Sequence, residues 1–399
     1  MSDFSLRPPR VITPILLIGA IILGAATLRA PLTSVGPVLA PLAADLGLDG
    51  MQAGILNALP LLLFALLSPP AAILGKRFGL EPVLAAAMAL IAGGTFIRSF
   101  GTPSCLWIGT VSLGIGIAIG NVLLISVIKR DLSDRAALCI GLYAAAMALS
   151  ASVASGVAAP LAAISELGWR IATGIWCVPA AVAFIAWFVI GRCIQNHAGA
   201  DTAGSHTVYR SPWLSAVGWQ VSLFMAMHTL VFYTLIDWFP SMARNQHISA
   251  AESGFYLLAY QAIAVVANLA TSRLLKHASD QRAIGFFASF FIFIGIVGLW
   301  FIPASPLIWL VLAGIGAGMS MVTCLSLFGL RTRDHVHAGQ LSGMAQGVGY
   351  ALGAMGPWLT GVVHDAYDNW TPVLAMLLAA AIVQMVVSVL AGRTRIIGE

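Results

Sequence analysis

Residues 13–43 read TPILLIGAIILGAATLRAPLTSVGPVLAPLA, and this stretch decides the fold class because its only charge is Arg29. A helix needs about 20 mostly apolar residues to cross the hydrocarbon core of a bilayer. The rest of the 399-residue chain is similar, with 59% hydrophobic and 9% charged residues. Soluble domains carry about a quarter charged residues. The composition therefore excludes soluble, disordered and fibrous classes and indicates a polytopic membrane protein.

The chain divides at its charge and Pro/Gly clusters into twelve candidate spans. They cover residues 13–43, 51–74, 81–100, 104–128, 137–163, 169–191, 213–243, 251–274, 283–302, 305–330, 338–363 and 371–391. Each is long enough to cross a bilayer as a helix. We therefore predict an all-α membrane protein with twelve transmembrane helices.

Lysine and arginine are distributed unequally between the connecting segments. With the N-terminus placed inside, 16 of the 20 basic residues fall on the cytoplasmic side, and only Arg98, Arg170 and Arg244 fall in outer loops. The positive-inside rule then predicts that both termini are cytoplasmic. Arg29 is the one basic residue left in the interior of a span, since Arg98, Arg170 and Arg273 lie within two residues of span ends. The net charge of +5 reflects this topology and does not indicate a nucleic-acid partner.

The sequence repeats itself at an offset of about 200 residues. Matching pairs in the same order are Asp45 and Asn245, Gly114 and Gly314, Asp134 and Asp334, Gly141 and Gly343, and Trp169 and Trp370. Such a repeat predicts two pseudo-symmetric six-helix bundles related about an axis along the membrane normal. We place the first bundle at residues 1–191, a polar cytoplasmic linker at 192–212 and the second bundle at 213–399.

Three stretches carry a resemblance to a known family. They are LRAPLTSVGP at 28–37, GIGIAIGNVLL at 114–124 followed by IKRD at 128–131, and LSGMAQGVGY at 341–350. With twelve spans and a polar central loop, the chain resembles the major facilitator superfamily, and within it the cyanate / 2-nitroimidazole transporter family. The superfamily loop G-x3-D-R-x-G-R/K is only partly kept, as Ala72-x3-Lys76-Arg77-Phe78-Gly79. The resemblance implies secondary transport of small compounds, with helices 1, 4, 7 and 10 lining a central cavity.

Arg29 is the main candidate for substrate binding. It lies within about two residues of the middle of helix 1, and a charge in hydrocarbon costs several kcal/mol unless it has a function or a partner. Among the 15 acidic residues only Asp237 falls within the interior of a predicted span, since Glu81 and Glu252 lie at span ends. We expect a positive cavity that favours a small anion, or a ligand whose nitro or carboxylate oxygens a guanidinium can hold bidentately.

A structural alternative for Arg29 remains open. Pro31 and Pro37 can bend or break helix 1 and so free backbone carbonyls, which the Arg29 guanidinium could bind instead of a ligand.

His228 lies within about one residue of the middle of helix 7, the repeat partner of helix 1. The resemblance would place it opposite Arg29 across the cavity. A histidine titrates near neutral pH, so we predict that His228 binds substrate and couples transport to protons. The alternative is that it is a packing residue among Met and Leu.

Further polar and aromatic residues lie deep in the predicted spans. Those predicted to contact substrate are Asn121, Tyr143, Gln346 and Tyr350; Tyr233 is among the weaker candidates. Their alternative role is hydrogen bonding between helices. The glycines of helices 4 and 11 predict close packing that lets the helices slide.

Mixed charges follow helix 4 and, at matching positions, helix 10. They are Lys129, Arg130, Asp131 and Asp134 in the first half, and Arg331, Arg333 and Asp334 in the second. We predict that they form ion pairs between the halves, which stabilise an outward-open state and break on opening to the cytoplasm. The alternative is a topology signal in a solvated loop.

These features predict a secondary active transporter that works by alternating access around Arg29 and is coupled to protons. The sequence has no Walker A, HExxH or GxSxG motif and no CxxC pair, so we expect no cofactor, no metal and no enzymatic activity. Alternatives are an exporter of small neutral compounds and an anion uniporter, and import and export both stay open. The expected partners are a small-molecule substrate and the lipid bilayer of the cell inner (plasma) membrane, with the protein as a monomer.

Overall fold

The computed structural model describes residues 13–164, 167–195, 211–367 and 369–398, and all regular elements within them are helical. Twelve long helices follow the predicted spans: α1 Pro14–Thr27, α2 Gly50–Phe78, α3 Leu80–Arg98, α4 Pro103–Asp131, α5 Ala136–Ile164, α6 Cys177–Gln195, α7 Ala216–Arg244, α8 Ala250–His277, α9 Arg282–Phe301, α10 Pro306–Leu330, α11 His335–Tyr367 and α12 Thr371–Ala391. The all-α fold of two six-helix bundles is confirmed. We call α1–α6 the N half and α7–α12 the C half.

The predicted linker is shorter on its N-terminal side than the sequence suggests. α6 continues to Gln195, past its expected end at residue 191, and a 3-10 turn begins at Pro212. The remaining linker residues, 196–210, lie outside the described part of the chain.

The first span is broken, as its prolines predict. α1 ends at Thr27 and is continued by a short helix Ala30–Thr33, a 3-10 turn Gly36–Val38 and a helix Leu39–Leu46. Proline has no N–H to donate and its ring excludes the preceding turn, so Pro31 disfavours a continuous helix here. Arg29 lies in the break with φ −121° and ψ −40°.

Both halves begin their second helix with a capping box. Asp49 Oδ1 accepts from the backbone N–H of Gln52 at 2.7 Å, and Gln52 Oε1 accepts in return from the N–H of Asp49 at 3.2 Å. Ser249 and Glu252 make the same reciprocal bonds in front of α8. These bonds satisfy free N–H groups of the first turn and fix where each helix starts.

The internal repeat is visible in helix packing. A Cβ added at Gly116 of α4 would lie 2.5 Å from the carbonyl oxygen of Ala87 in α3. A Cβ added at Gly316 of α10 would lie 2.5 Å from the carbonyl oxygen of Ala288 in α9. Both halves therefore use a glycine at the same repeat position for backbone contact, and Gly116 packs closely as expected for the glycines of helix 4.

The halves meet tightly at the end of the molecule where α2, α4 and α10 finish and α11 begins; we call it the basic end. A Cβ at Gly339 of α11 would lie 2.7 Å from Ser126 Oγ of α4, and one at Gly343 would lie 2.6 Å from the carbonyl oxygen of Ser68 in α2. The two glycines are one helical turn apart on one face of α11. The halves are therefore in close contact here, with side chains at Gly339 and with backbone at Gly343.

The eleventh helix differs from the others in composition. Among the described helices, eleven spans are long and apolar enough to cross a membrane, and α11 is not one of them although it has 33 residues. It carries many glycines together with Gln346 and Tyr350, and it packs against α7 of its own half and α2 of the other. Its polar face therefore points to protein and not to lipid.

Candidate functional site

Arg29 lies between the two halves. Its Nη1 donates to the hydroxyl of Tyr233 on α7 at 3.0 Å, and its Nη2 donates to the hydroxyl of Tyr350 on α11 at 3.2 Å. No carboxylate in the described part of the chain pairs with it. The alternative role, binding of freed backbone carbonyls, is not what this guanidinium does. A cation from the N half instead faces two neutral phenols from the C half.

Tyr233 is the α7 residue that meets Arg29, and the sequence analysis placed it only among the weaker candidates. His228, which was selected, is five positions earlier and is 5% exposed. Its ring packs on Phe232 with a centroid distance of 6.0 Å, and its Nδ1 has no hydrogen-bond partner among the described residues. Depth along the helix selected the right helix, but a residue about 7.5 Å along its axis from the side chain that faces Arg29.

A second polar network lies beside Arg29 and joins α4, α5 and α11. The Tyr143 hydroxyl donates to Asn121 Oδ1 at 3.0 Å, and Gln346 Nε2 donates to the Asn121 carbonyl oxygen at 3.2 Å and to Ser342 Oγ at 2.9 Å. Tyr143 is close enough to Arg29 for an electrostatic interaction. The structure thus brings the predicted residues Asn121, Tyr143 and Gln346 together in one place.

One face of α11 supplies the cross-half contacts. Ser342, Gln346 and Tyr350 are spaced by four residues, so they project from the same side of the helix. Gln346 bonds to α4 and Tyr350 bonds to α1. The amide Nδ2 of Asn121 is buried and has no partner within the described residues, so this network keeps one unused donor.

Exposure along α7 increases from Tyr233 towards the end opposite to the basic end. Arg29 and Tyr233 are partly exposed, and Asp237, one turn further along α7, is exposed. Residues four apart lie on one face of a helix, so Tyr233 and Asp237 share the side that faces Arg29. The exposed part of α7 next to Tyr233 therefore lies towards the end opposite to the basic end.

The charges after α4 form ion pairs within the N half. Arg130 pairs with Glu81 of α3 and, at 2.8 Å, with Asp131 Oδ2. Asp134 is exposed in the 3-10 turn Ser133–Arg135. The predicted pairing between halves is thus not what Arg130 and Asp131 display.

The charges after α10 also bind mostly within their own half. Arg331 is 3% exposed and donates to the Ala391 carbonyl oxygen at 2.9 Å and to Gln281 Oε1. Burial lowers the pKa of Arg331 to about 10, and the negative charge of Asp280 offsets part of this decrease. Arg333 is exposed in the loop before α11.

Asp334 caps α11. Its Oδ1 accepts from the His337 N–H at 2.8 Å. Partial burial favours the neutral acid, but the His337 bonds outweigh it and bring the pKa of Asp334 below its ordinary value.

Lys129 provides the direct contact between halves at the basic end. Its Nζ donates to the Gly329 carbonyl oxygen of α10 at 2.8 Å, and it also interacts electrostatically with Asp334. The Lys129 ammonium thus binds a backbone carbonyl oxygen of the other half, whereas the sequence predicted an ion pair there. A cavity of about 210 Å³ lies beside it, lined in part by Lys76, Arg130 and His335.

Arg98 is a buried cation that the sequence analysis placed in an outer loop. It is the last residue of α3 and is 1% exposed. Its Nη2 donates to the Pro31 carbonyl oxygen at 2.7 Å. Arg29 is therefore not the only basic residue within the membrane-spanning helices, and the carbonyl freed by the break in α1 is bound by Arg98.

Comparison with known proteins gives the class. A family model described as Major Facilitator Superfamily matches residues 16–357. The fold agrees: a solved structure of the proton:xylose symporter XylE superimposes with a TM-score of 0.72 at 12% identity, covering 96% of this chain and 98% of that one. The chain belongs to the major facilitator superfamily.

Two curated relatives narrow the branch. The chain is 38% identical over 383 residues to the 2-nitroimidazole transporter of Escherichia coli (strain K12), and this alignment covers 96% of each protein. It is 27% identical over 348 residues to the cyanate transport protein CynX of the same organism, covering 86% of this chain and 88% of the relative. The predicted resemblance to the cyanate / 2-nitroimidazole transporter family is confirmed, and the protein is a multi-pass membrane transporter of small molecules, not an enzyme.

Proposed function

We propose that the protein is a secondary active transporter of a small anionic or nitro-heterocyclic compound, and that Arg29 binds this compound between the halves. The observation that carries the proposal is that Arg29 donates to Tyr233 and Tyr350 of the C half and has no carboxylate partner in the described residues. A guanidinium has five N–H donors, so several stay available to ligand oxygens.

The same geometry supports alternating access. Both phenol partners of Arg29 belong to the C half, so a ligand that competes for its N–H groups alters the contacts that join the halves. In repeat-built transporters the halves rock about a central site. Ligand binding at Arg29 is therefore linked to the relative position of α1 against α7 and α11.

For the ligand we favour a nitro-heterocycle over cyanate. A nitro group offers two oxygens at the spacing of the guanidinium fork. Phe64 packs edge-on against Tyr350 with centroids 5.2 Å apart, and Phe232 against Tyr233 at 5.5 Å, so aromatic rings border the Arg29 partners. The higher identity to the nitroimidazole transporter supports the same choice.

We further propose that protons drive transport through His228, and that the basic end faces the cytoplasm. Nδ1 of His228 is buried without a partner among the described residues, so it can take up a proton when the helices around it move. With the basic end in the cytoplasm, both termini lie on the cytoplasmic side of the inner membrane. The present state is then outward-facing. Lys129 and the neighbouring charges then act as the inner gate.

The test is uptake by purified protein in proteoliposomes, with labelled 2-nitroimidazole and labelled cyanate as separate probes. Wild type is expected to give saturable uptake and counterflow of 2-nitroimidazole. Arg29→Gln should reduce uptake about 100-fold, which corresponds to about 3 kcal/mol for a lost charged contact. Arg244→Gln, which removes an exposed cation at the end of α7, is the matched control and should stay within about 2-fold.

Three outcomes would contradict parts of the proposal. Normal uptake by a correctly inserted Arg29→Gln protein would show that Arg29 does not bind the substrate. Uptake without counterflow indicates a channel. An unchanged pH profile in His228→Ala removes the proton-coupling role of that residue.

A further inference from the structure

Arg98 is a buried cation that the proposed transport mechanism does not use. It donates from Nη2 to the Pro31 carbonyl oxygen at 2.7 Å and, at the longer distance of 3.5 Å, to the Thr173 carbonyl oxygen. Its Nε has no partner, and no carboxylate pairs with it within the described residues. A charge held at 1% exposure without a counter-ion is costly, so packing alone does not explain it.

The Pro31 carbonyl is available because of the break in α1. In a continuous helix this oxygen would accept from the Val35 N–H, but Val35 donates to Leu32 at 3.3 Å instead. The Ser34 hydroxyl reaches the Pro31 oxygen at 3.2 Å. Arg98 thus supplies the charged donor for a carbonyl that the broken helix leaves unpaired.

Arg98 is itself held in place by close helix packing. A Cβ added at Gly109 of α4 would lie 2.6 Å from the backbone nitrogen of Arg98. Its guanidinium joins the break in α1 to the short helix Trp169–Gly174 that precedes α6. The segment after Arg29 is therefore tied to three other elements of the N half.

We propose that Arg98 is a positioning residue for Arg29. Pro31 follows Arg29 by two residues, so fixing its carbonyl fixes the direction in which the Arg29 side chain leaves the break. Without this bond the segment 28–38 samples other turns, and the Arg29 guanidinium loses its alignment with Tyr233 and Tyr350. The role in binding rests on the proposed function, whereas the role in holding the break does not.

The test is hydrogen–deuterium exchange of the peptide covering residues 28–38 in purified protein. Arg98→Gln keeps a neutral donor of similar shape, and we expect exchange in this peptide to rise at least about 10-fold. Arg98→Lys restores the charge and should recover most of the protection. Arg244→Gln is the control and should leave the peptide unchanged. Unchanged exchange in Arg98→Gln, or an equal rise across α2 to α6, would overturn the proposal.

A second measurement separates this proposal from the proposed function. The Kd of 2-nitroimidazole should weaken about 10-fold in Arg98→Gln and about 3-fold in Arg98→Lys, with no change in Arg244→Gln. If wild type does not bind 2-nitroimidazole, the assigned substrate is wrong and the exchange result still decides the role of Arg98. If Arg98→Gln cannot be purified, Arg98→Lys decides through its Kd, because its exchange is expected to stay close to that of wild type: a Kd equal to that of wild type refutes the proposal.

Discussion

The two halves keep a guanidinium at the same repeat position but give it different partners. In the N half Arg130 forms an ion pair with Glu81, and in the C half Arg331 hydrogen-bonds the neutral amide of Gln281. The offsets, Glu81 to Gln281 and Arg130 to Arg331, match the internal repeat of about 200 residues. The repeat therefore preserves packing positions while the charges diverge.

At the centre of the molecule the two halves also differ in charge. The N half contributes the cation Arg29, and the C half contributes Tyr233, Tyr350 and Gln346, which are neutral. A symmetric scaffold thus encloses a site that is asymmetric in charge. If packing is symmetric and charge is not, substitutions at matched glycines should change the unfolding free energy by similar amounts. Substitutions at matched ionisable positions should change it by different amounts.

The largest effect is expected for the glycines that join the halves. Gly141 of α5 faces Ser272 of α8, and its repeat partner Gly343 faces the backbone of Ser68 and Pro69; added Cβ atoms would lie 2.6 Å from their nearest neighbours in both cases. Gly141→Ala and Gly343→Ala should each cost about 1–3 kcal/mol of unfolding free energy, because neither neighbour can yield. Thermal unfolding in detergent measures this.

Gly156→Ala is the control for these two substitutions, since a Cβ there meets nothing within 4 Å. It should stabilise slightly through helix propensity. A large loss of unfolding free energy at only one of Gly141 and Gly343 would contradict symmetric packing.

The next effect concerns the matched Glu81 and Gln281. Glu81→Gln removes a counter-charge from Arg130, whose side chain is 26% exposed, and should cost about 1–2 kcal/mol. Gln281→Glu supplies a counter-charge to the buried Arg331 and should stabilise by about 1 kcal/mol, with Asp280 limiting the gain. Unfolding midpoints of both variants decide this, and destabilisation by Gln281→Glu would contradict it.

A smaller effect is expected when a phenol of the central cluster is removed. Tyr350 is 3% exposed, so Tyr350→Phe leaves an Arg29 donor short of a partner and should cost about 1 kcal/mol. Tyr233 is partly exposed and water can replace its hydroxyl, so Tyr233→Phe should cost about half as much. Thermal unfolding without ligand gives the ranking, and the reverse order would place Tyr233 as the stronger partner.

The smallest effect is expected at Asp45, whose repeat partner is Asn245. Asp45 Oδ2 accepts from Arg170 at 2.8 Å and from the Trp169 indole at 3.0 Å. Asp45→Asn keeps an acceptor and loses only an exposed ion pair, so we expect a change below about 0.5 kcal/mol. A loss above about 1 kcal/mol in the same unfolding assay would mean that this pair is more than a surface contact.

The sequence predicted what depends on local properties. Twelve spans follow from apolar length, the break in α1 follows from Pro31, and the special status of Arg29 follows from the cost of a charge in hydrocarbon. The grouping of Asn121 with Gln346 followed from their depth within the spans.

The sequence did not predict what depends on helix rotation and packing. Tyr233 meets Arg29 because α7 is turned to present it, and hydrophobic pattern alone does not give that angle for a helix buried on several sides. Arg98 was assigned to a loop because the positive-inside rule counts basic residues without regard to burial. The partners of Arg130 and Arg331 lie about 50 residues away in sequence and required the tertiary structure.

The composition of α11 has a consequence for biosynthesis. Its glycines and polar face make it a poor candidate for partitioning into lipid by itself, in contrast to the eleven more apolar spans of the described chain. Its neighbours α2 and α7 are both made earlier by the ribosome. Stable integration of α11 therefore depends on the surfaces that α2 and α7 offer, which couples the insertion of this helix to contact between the two bundles.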